Sequence, residues 1–143
     1  MSAEFCDTNL FVYAYDVTAG PKREQASVLL ARLWDSGDGV VSMQVLQELF
    51  VALTRKIPEP LPLPEARAIV SDMSTWRVVE PVSRDILTAI DGAARWRVSF
   101  WDAMILTTAL RAGARTVWSE DLNDGQSYDG AIVRNPFSPL GSP

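Results

Sequence analysis

Apolar and polar positions alternate between two periods along this chain, short runs of apolar residues and longer stretches with helical spacing. Glu4 to Cys6 leads a short apolar strand that ends at Asp7, and Thr8 to Tyr15 follows as a helix. Asp16 to Gly20 reads as a turn. Pro21 can open a second helix, because its missing N–H is not needed in a first turn, and Ala26, Leu29, Leu30 and Leu33 recur there at helical spacing. Ser36-Gly37-Asp38-Gly39 breaks that helix, Val40-Val41 is a second strand, and Ser42 is a favourable N-cap for a helix from Met43 to about Arg55. Pro58, Pro60, Pro62 and Pro64 alternate through an extended link, with Pro64 able to start a helix through Met73. Arg77 to Glu80 is a third strand, and helices are expected over Arg84 to Trp96 and Phe100 to Ala112, the latter stopped by Gly113. Thr116 to Ser119 and Ala131 to Arg134 make a fourth and a fifth strand. Strands alternating with helices predict an α/β fold, a three-layer α/β/α sandwich around a mostly parallel sheet of four to five strands. One domain over residues 1–137 and a flexible tail over 138–143 are expected.

Composition narrows the chemistry. The 143 residues are 48% hydrophobic, enough for one ordinary core. No apolar run approaches a membrane span, and the start of the chain lacks the basic and apolar regions of a signal peptide, so a cytoplasmic location is expected. Cys6 is the single cysteine, which leaves no intramolecular disulfide and no Cys-rich zinc site. There is no histidine. That removes Ser-His-Asp and Cys-His hydrolases, His-ligated zinc and RNA cleavage by a histidine pair. Neither a Walker-type nor a dinucleotide-binding glycine loop occurs. Carboxylates with a metal are the best catalytic tools remaining.

Four acids fall where strands give way to helices or just inside helices: Asp7, Glu48, Asp102 and Asp121. In an open α/β sheet these junctions converge on the carboxyl ends of the strands, where ligands bind. Two carboxylates about 5 Å apart repel by roughly 3 kcal/mol at an effective dielectric near 20, so four together call for a cation. Mg²⁺ or Mn²⁺ suits such an oxygen-rich set. Each acid also has an ordinary structural role open to it. Asp7 fits a helix N-cap, Glu48 sits at the edge of an apolar stripe, Ser99-x-x-Asp102 fits a capping box, and Asp121 fits a turn. The net charge of −5 disfavours a nucleic-acid partner at first sight, yet four acids in one site account for most of it, and eleven of the 13 basic residues are arginines suited to phosphate. Arg95 and Arg97 before the Asp102 segment, and Lys22 and Arg23 after the first acidic motif, are phosphate candidates or simply a solvated face.

The segments Asp7-Thr8-Asn9-Leu10-Phe11-Val12-Tyr13-Ala14, Ser42 to Glu48, Ser99-Phe100-Trp101-Asp102-Ala103 and Ser119-Glu120-Asp121-Leu122, followed by Asn135-Pro136-Phe137, resemble the PIN-domain ribonucleases in order and spacing. The likeness is strongest to the VapC-type toxins of bacterial toxin–antitoxin pairs and covers about Glu4 to Phe137. It implies that Asp7, Glu48, Asp102 and Asp121 bind Mg²⁺ or Mn²⁺ and act in catalysis, with Asn9, Ser42 and Ser119 as polar supports. It also implies RNA as substrate, a small antitoxin as partner, and a homodimer. Many relatives carry a histidine shortly after the last acid, where this chain has Asp124. A non-catalytic PIN-like scaffold and a receiver-like phospho-acceptor are the competing readings, the latter disfavoured because Lys22 and Lys56 are the only lysines.

Overall fold

A computed structural model describes residues 2–138. The elements follow in the order β1 (Glu4–Cys6), α1 (Thr8–Tyr15), α2 (Pro21–Ser36), β2 (Gly39–Ser42), α3 (Met43–Val51), α4 (Leu63–Met73), β3 (Arg77–Val79), α5 (Ser83–Trp96), α6 (Phe100–Arg111), β4 (Thr116–Trp118), β5 (Ser127–Tyr128) and β6 (Ala131–Arg134). Between α3 and α4 the helix widens into a π-helical segment, Ala52–Lys56. The expected tail over 138–143 lies outside the described residues except for Ser138.

Among the described residues the sheet has six strands in the order β3-β2-β1-β4-β6-β5, one more than the upper number expected from the sequence. Every pairing is parallel except that of β5 with β6. The extra strand is a two-residue arm of a hairpin, with Tyr128 opposite Ala131. Its turn is Asp129-Gly130, both at positive φ (53° and 104°), as a tight two-residue hairpin requires. The parallel centre is buried, and β2 is covered along its whole length, because helices lie on both faces of the sheet. Next to the edge, β6 alternates buried and exposed residues instead.

Phe5, Leu10, Phe11, Leu33, Val40, Val41, Val45, Leu49, Leu53, Ile105 and Leu106 form the heart of the core. Cys6 lies within it, fully buried, and burial holds its thiol far above the usual range. Gly39 begins β2 where a Cβ would run into the Trp76 ring. That ring packs edge-on against Phe11, with centroids 5.5 Å apart.

The order of the strands places a switch point between β1 and β4. The chain leaves β1 towards β2 and β3, then returns to the other side of β1 through α5 and α6. A crevice beyond the carboxyl ends of β1 and β4 follows from that topology.

Candidate active site

All four predicted acids line one cavity of about 350 Å³ at that crevice. Asp7 ends β1 and caps α1, its Oδ1 accepting the Thr8 N–H at 2.7 Å. Its Oδ2 accepts from the Ser119 hydroxyl at 2.9 Å. The cap and the site are therefore the same carboxylate, one oxygen serving each. Ser119 is fully buried just after β4, and its Oγ also accepts the Asp121 N–H at 3.2 Å. One hydroxyl thus ties the first acid to the loop that carries the last.

Glu48 and Asp121 are exposed and each is held by a single side-chain partner. Thr8 Oγ1 donates to Glu48 Oε1 at 2.9 Å, and Asn9 Nδ2 donates to Asp121 Oδ2 at 2.9 Å. The Asp7-Thr8-Asn9 run therefore supplies one acid and holds two others. Ser42 does not line the cavity. Its hydroxyl accepts the Val45 N–H at 3.3 Å and so starts α3, the helix that presents Glu48. Ser99 caps α6 in the same manner, accepting the Asp102 N–H at 3.1 Å. The Asp102 carboxylate returns no hydrogen bond to the Ser99 backbone, so only half of the competing capping box forms, and the acid lines the cavity.

The four charges act on one another. Burial pushes the Asp7 carboxyl from 3.8 up to about 6, and the Asp121 and Glu48 charges add to the rise against the hydrogen bonds from Thr8 and Ser119. Asp121 is raised too, first by partial desolvation of its carboxyl and then by the charges of Asp102 and Glu120. Glu120 itself turns away from the acids. It accepts the Tyr13 hydroxyl at 2.6 Å and pairs with Lys22, whose ammonium lies over the Tyr13 ring, 4.9 Å from its centroid.

A hard divalent cation fits the donor set, since carboxylate, amide and hydroxyl oxygens are what Mg²⁺ and Mn²⁺ prefer and mutual repulsion is what a cation relieves. As the side chains stand, no three Asp, Glu, His or Cys residues among the described ones are grouped closely enough to hold an ion. Asp16, Lys56 and Trp101 are also among the lining residues, and none of the three was singled out from the sequence as a site residue. Arg95 instead pairs with Asp129 at 2.6 Å, and neither it nor Arg97 or Arg23 reaches the cavity.

A family model described as PIN domain matches residues 5–123. Among solved structures, a toxin–antitoxin complex from Klebsiella pneumoniae superposes with a TM-score of 0.68 at 21% identity, covering 95% of this chain and 98% of that one. VapBC2 of Rickettsia felis, bound to a DNA fragment from its promoter, gives 0.66 at 15% identity, covering 93% and 98%. VapC20 of Mycobacterium tuberculosis, described as a toxin that cleaves the sarcin–ricin loop, gives 0.63 at 19% identity, covering 83% and 90%. No curated protein sequence matches the chain.

Proposed function

The chain belongs to the PIN-domain family, and from that premise we propose that it is a metal-dependent endoribonuclease acting as the toxin of a toxin–antitoxin pair. The observation that carries this reading is the convergence of Asp7, Glu48, Asp102 and Asp121 on one cavity at the switch point of the sheet. These four acids would hold one or two Mg²⁺ or Mn²⁺ ions. A bound ion of this kind lowers the pKa of a water and stabilises charge on a departing phosphate-ester oxygen.

The chain's own residues prepare the acids for that task. Ser119 aims Asp7 into the cavity, Thr8 steadies Glu48, and Asn9 steadies Asp121. Because Glu48 and Asp121 are exposed and singly held, their carboxylates can turn inward at small cost. The histidine-free composition suits this chemistry, which needs no imidazole. Residues 1–137 act as one nuclease domain in this reading, in the cytoplasm. Among the described residues no helix is long and apolar enough to cross a membrane. A small antitoxin that occludes the cavity and a homodimer complete the proposal; what supports the antitoxin is the fold shared with proteins solved as a toxin–antitoxin complex.

The test is cleavage of total cellular RNA with Mg²⁺ or Mn²⁺, new ends being mapped by sequencing. Wild type is expected to make discrete metal-dependent cuts, and Asp102→Asn to lose at least about two orders of magnitude in rate while keeping its fold. Equal cutting by the folded variant removes Asp102 from the mechanism. Absence of new ends with either metal favours a binding scaffold.

A further inference from the structure

Trp101 is 63% exposed, although an indole is among the most costly side chains to leave in water. It occupies the second position of α6, directly before Asp102, and lines the carboxylate cavity. Among the described residues its one ring neighbour is Phe100, edge-on with centroids 5.0 Å apart and planes at 73°. Such a neighbour steadies the indole and covers at most one face. The backbone there is tied down as well, since Gln44 Nε2 donates to the Trp101 carbonyl at 3.3 Å and joins the start of α6 to the helix carrying Glu48.

Lys56 is the single cation among the cavity's lining residues. It ends the π-helical segment, where the Ile57 N–H reaches back five residues to the Ala52 carbonyl at 3.1 Å. Widened turns of this kind are frequent at functional sites. Among the described residues the four ion pairs all employ other cations, so the Lys56 ammonium has no carboxylate partner. A cavity lined by five acids, Asp16 with the four above, repels phosphate, and a cation at its wall offsets that repulsion.

Resting on the nuclease reading above, we propose that Trp101 and Lys56 form a substrate cradle: the indole stacks on an unpaired base beside the scissile phosphate, and Lys56 takes a backbone phosphate. Such a cradle ties the need for an unpaired base to these two side chains. A duplex keeps its bases stacked inside and has none to offer the indole, whereas splayed bases stack readily on aromatic side chains. Arrival at the acids is thereby restricted to RNA whose base can leave the helix.

Binding separates this from catalysis. In an Asp102→Asn background, which leaves RNA uncut, the affinity for a labelled random pool of single strands about eight nucleotides long is measured by anisotropy. Adding Trp101→Ala is expected to weaken binding about tenfold to a hundredfold, with Trp101→Phe restoring most of it. Lys56→Ala should lower the slope of log affinity against log salt by roughly 0.7 to 1. A blunt duplex should bind poorly and ignore Trp101→Ala. Unchanged affinity in Trp101→Ala, or a duplex that competes as well as single strands, overturns the cradle. So does a Trp101→Ala protein whose sedimentation changes while its RNA affinity does not, because the indole then belongs to a protein interface. If the otherwise unaltered enzyme cuts RNA and Trp101→Ala cuts equally fast at low substrate, the cradle alone fails. If the wild type neither binds nor cuts any RNA, the nuclease reading fails and the cradle with it.

Discussion

Asp7 serves two ends that conflict. Its carboxylate is buried beside two like charges, and the group is pushed from 3.8 to about 6 as a result. A displacement of that size corresponds to roughly 3 kcal/mol of lost stability once the group is ionised. The folded protein holds the proton more tightly than the unfolded chain does, so the stability that the protonated Asp7 contributes is present in full below 3.8, declines as pH rises to about 6, and is absent above that. Asp7→Asn removes the charge. In chelator at neutral pH the variant should therefore be more stable than wild type by about 2–3 kcal/mol, with the difference vanishing below pH 3.8. Urea titrations at the two pH values check this, and a variant no more stable at neutral pH would show that the Asp7 carboxylate is not a strained group. That the four acids would meet at one cavity was legible in the sequence, because Asp7 and Asp121 follow strands and Glu48 and Asp102 lie in helices. Their supports were legible only in part. Thr8 lies 40 positions from Glu48, and Asn9 lies 112 from Asp121. No local pattern announces which hydroxyl or amide meets which carboxylate. Glu120 illustrates the converse, an acid beside Asp121 that a lysine and a tyrosine 98 and 107 positions away draw out of the site.

Among the elements, those with strong periodicity were readable and those set by a few atoms were not. α2 begins at Pro21 and buries Ala26, Leu29, Leu30 and Leu33, as their spacing predicts. The helix expected from Met43 to about Arg55 is α-helical only to Val51, since the apolar positions Ala52, Leu53 and Ile57 suit a π turn as well as an α turn. β5 escaped notice because two residues carry no period, although the Asp129-Gly130 turn was its signal. Gly39 is an element-scale constraint of the same hidden kind. Its bare backbone lets Trp76 lie flat against the start of β2, and any Cβ would displace that ring from Phe11. Gly39→Ala is expected to cost about 1–3 kcal/mol, the usual penalty for overpacking a filled core. The midpoint of urea unfolding reads this directly, and cleavage per folded molecule should be unaltered because Gly39 lies outside the cavity. A midpoint equal to wild type would mean that the Trp76 ring moves aside freely.

Across the whole molecule the net charge of −5 is gathered unevenly, four carboxylates standing at one edge of the sheet. Self-repulsion there opposes folding, and two remedies are available. Dissolved salt screens charges that face water, whereas a bound cation acts at the acids themselves. The two are separable by thermal unfolding. A ligand that binds only the folded state stabilises by about 2.7 kcal/mol at a hundred times its Kd, which for a chain of this size is roughly 5–10 °C in Tm. Mg²⁺ or Mn²⁺ should raise the wild-type Tm by that order, well beyond the effect of NaCl at matched ionic strength. Asp7→Asn and Asp102→Asn should lose most of the divalent increment and keep the salt increment, because each removes a donor from the cavity and leaves the rest of the surface alone. If NaCl reproduces the whole effect, the acids are screened and not bridged, and the four-carboxylate metal site must be abandoned. If the divalent increment survives both substitutions, the ion binds elsewhere, and the cavity acts on its ligand without it.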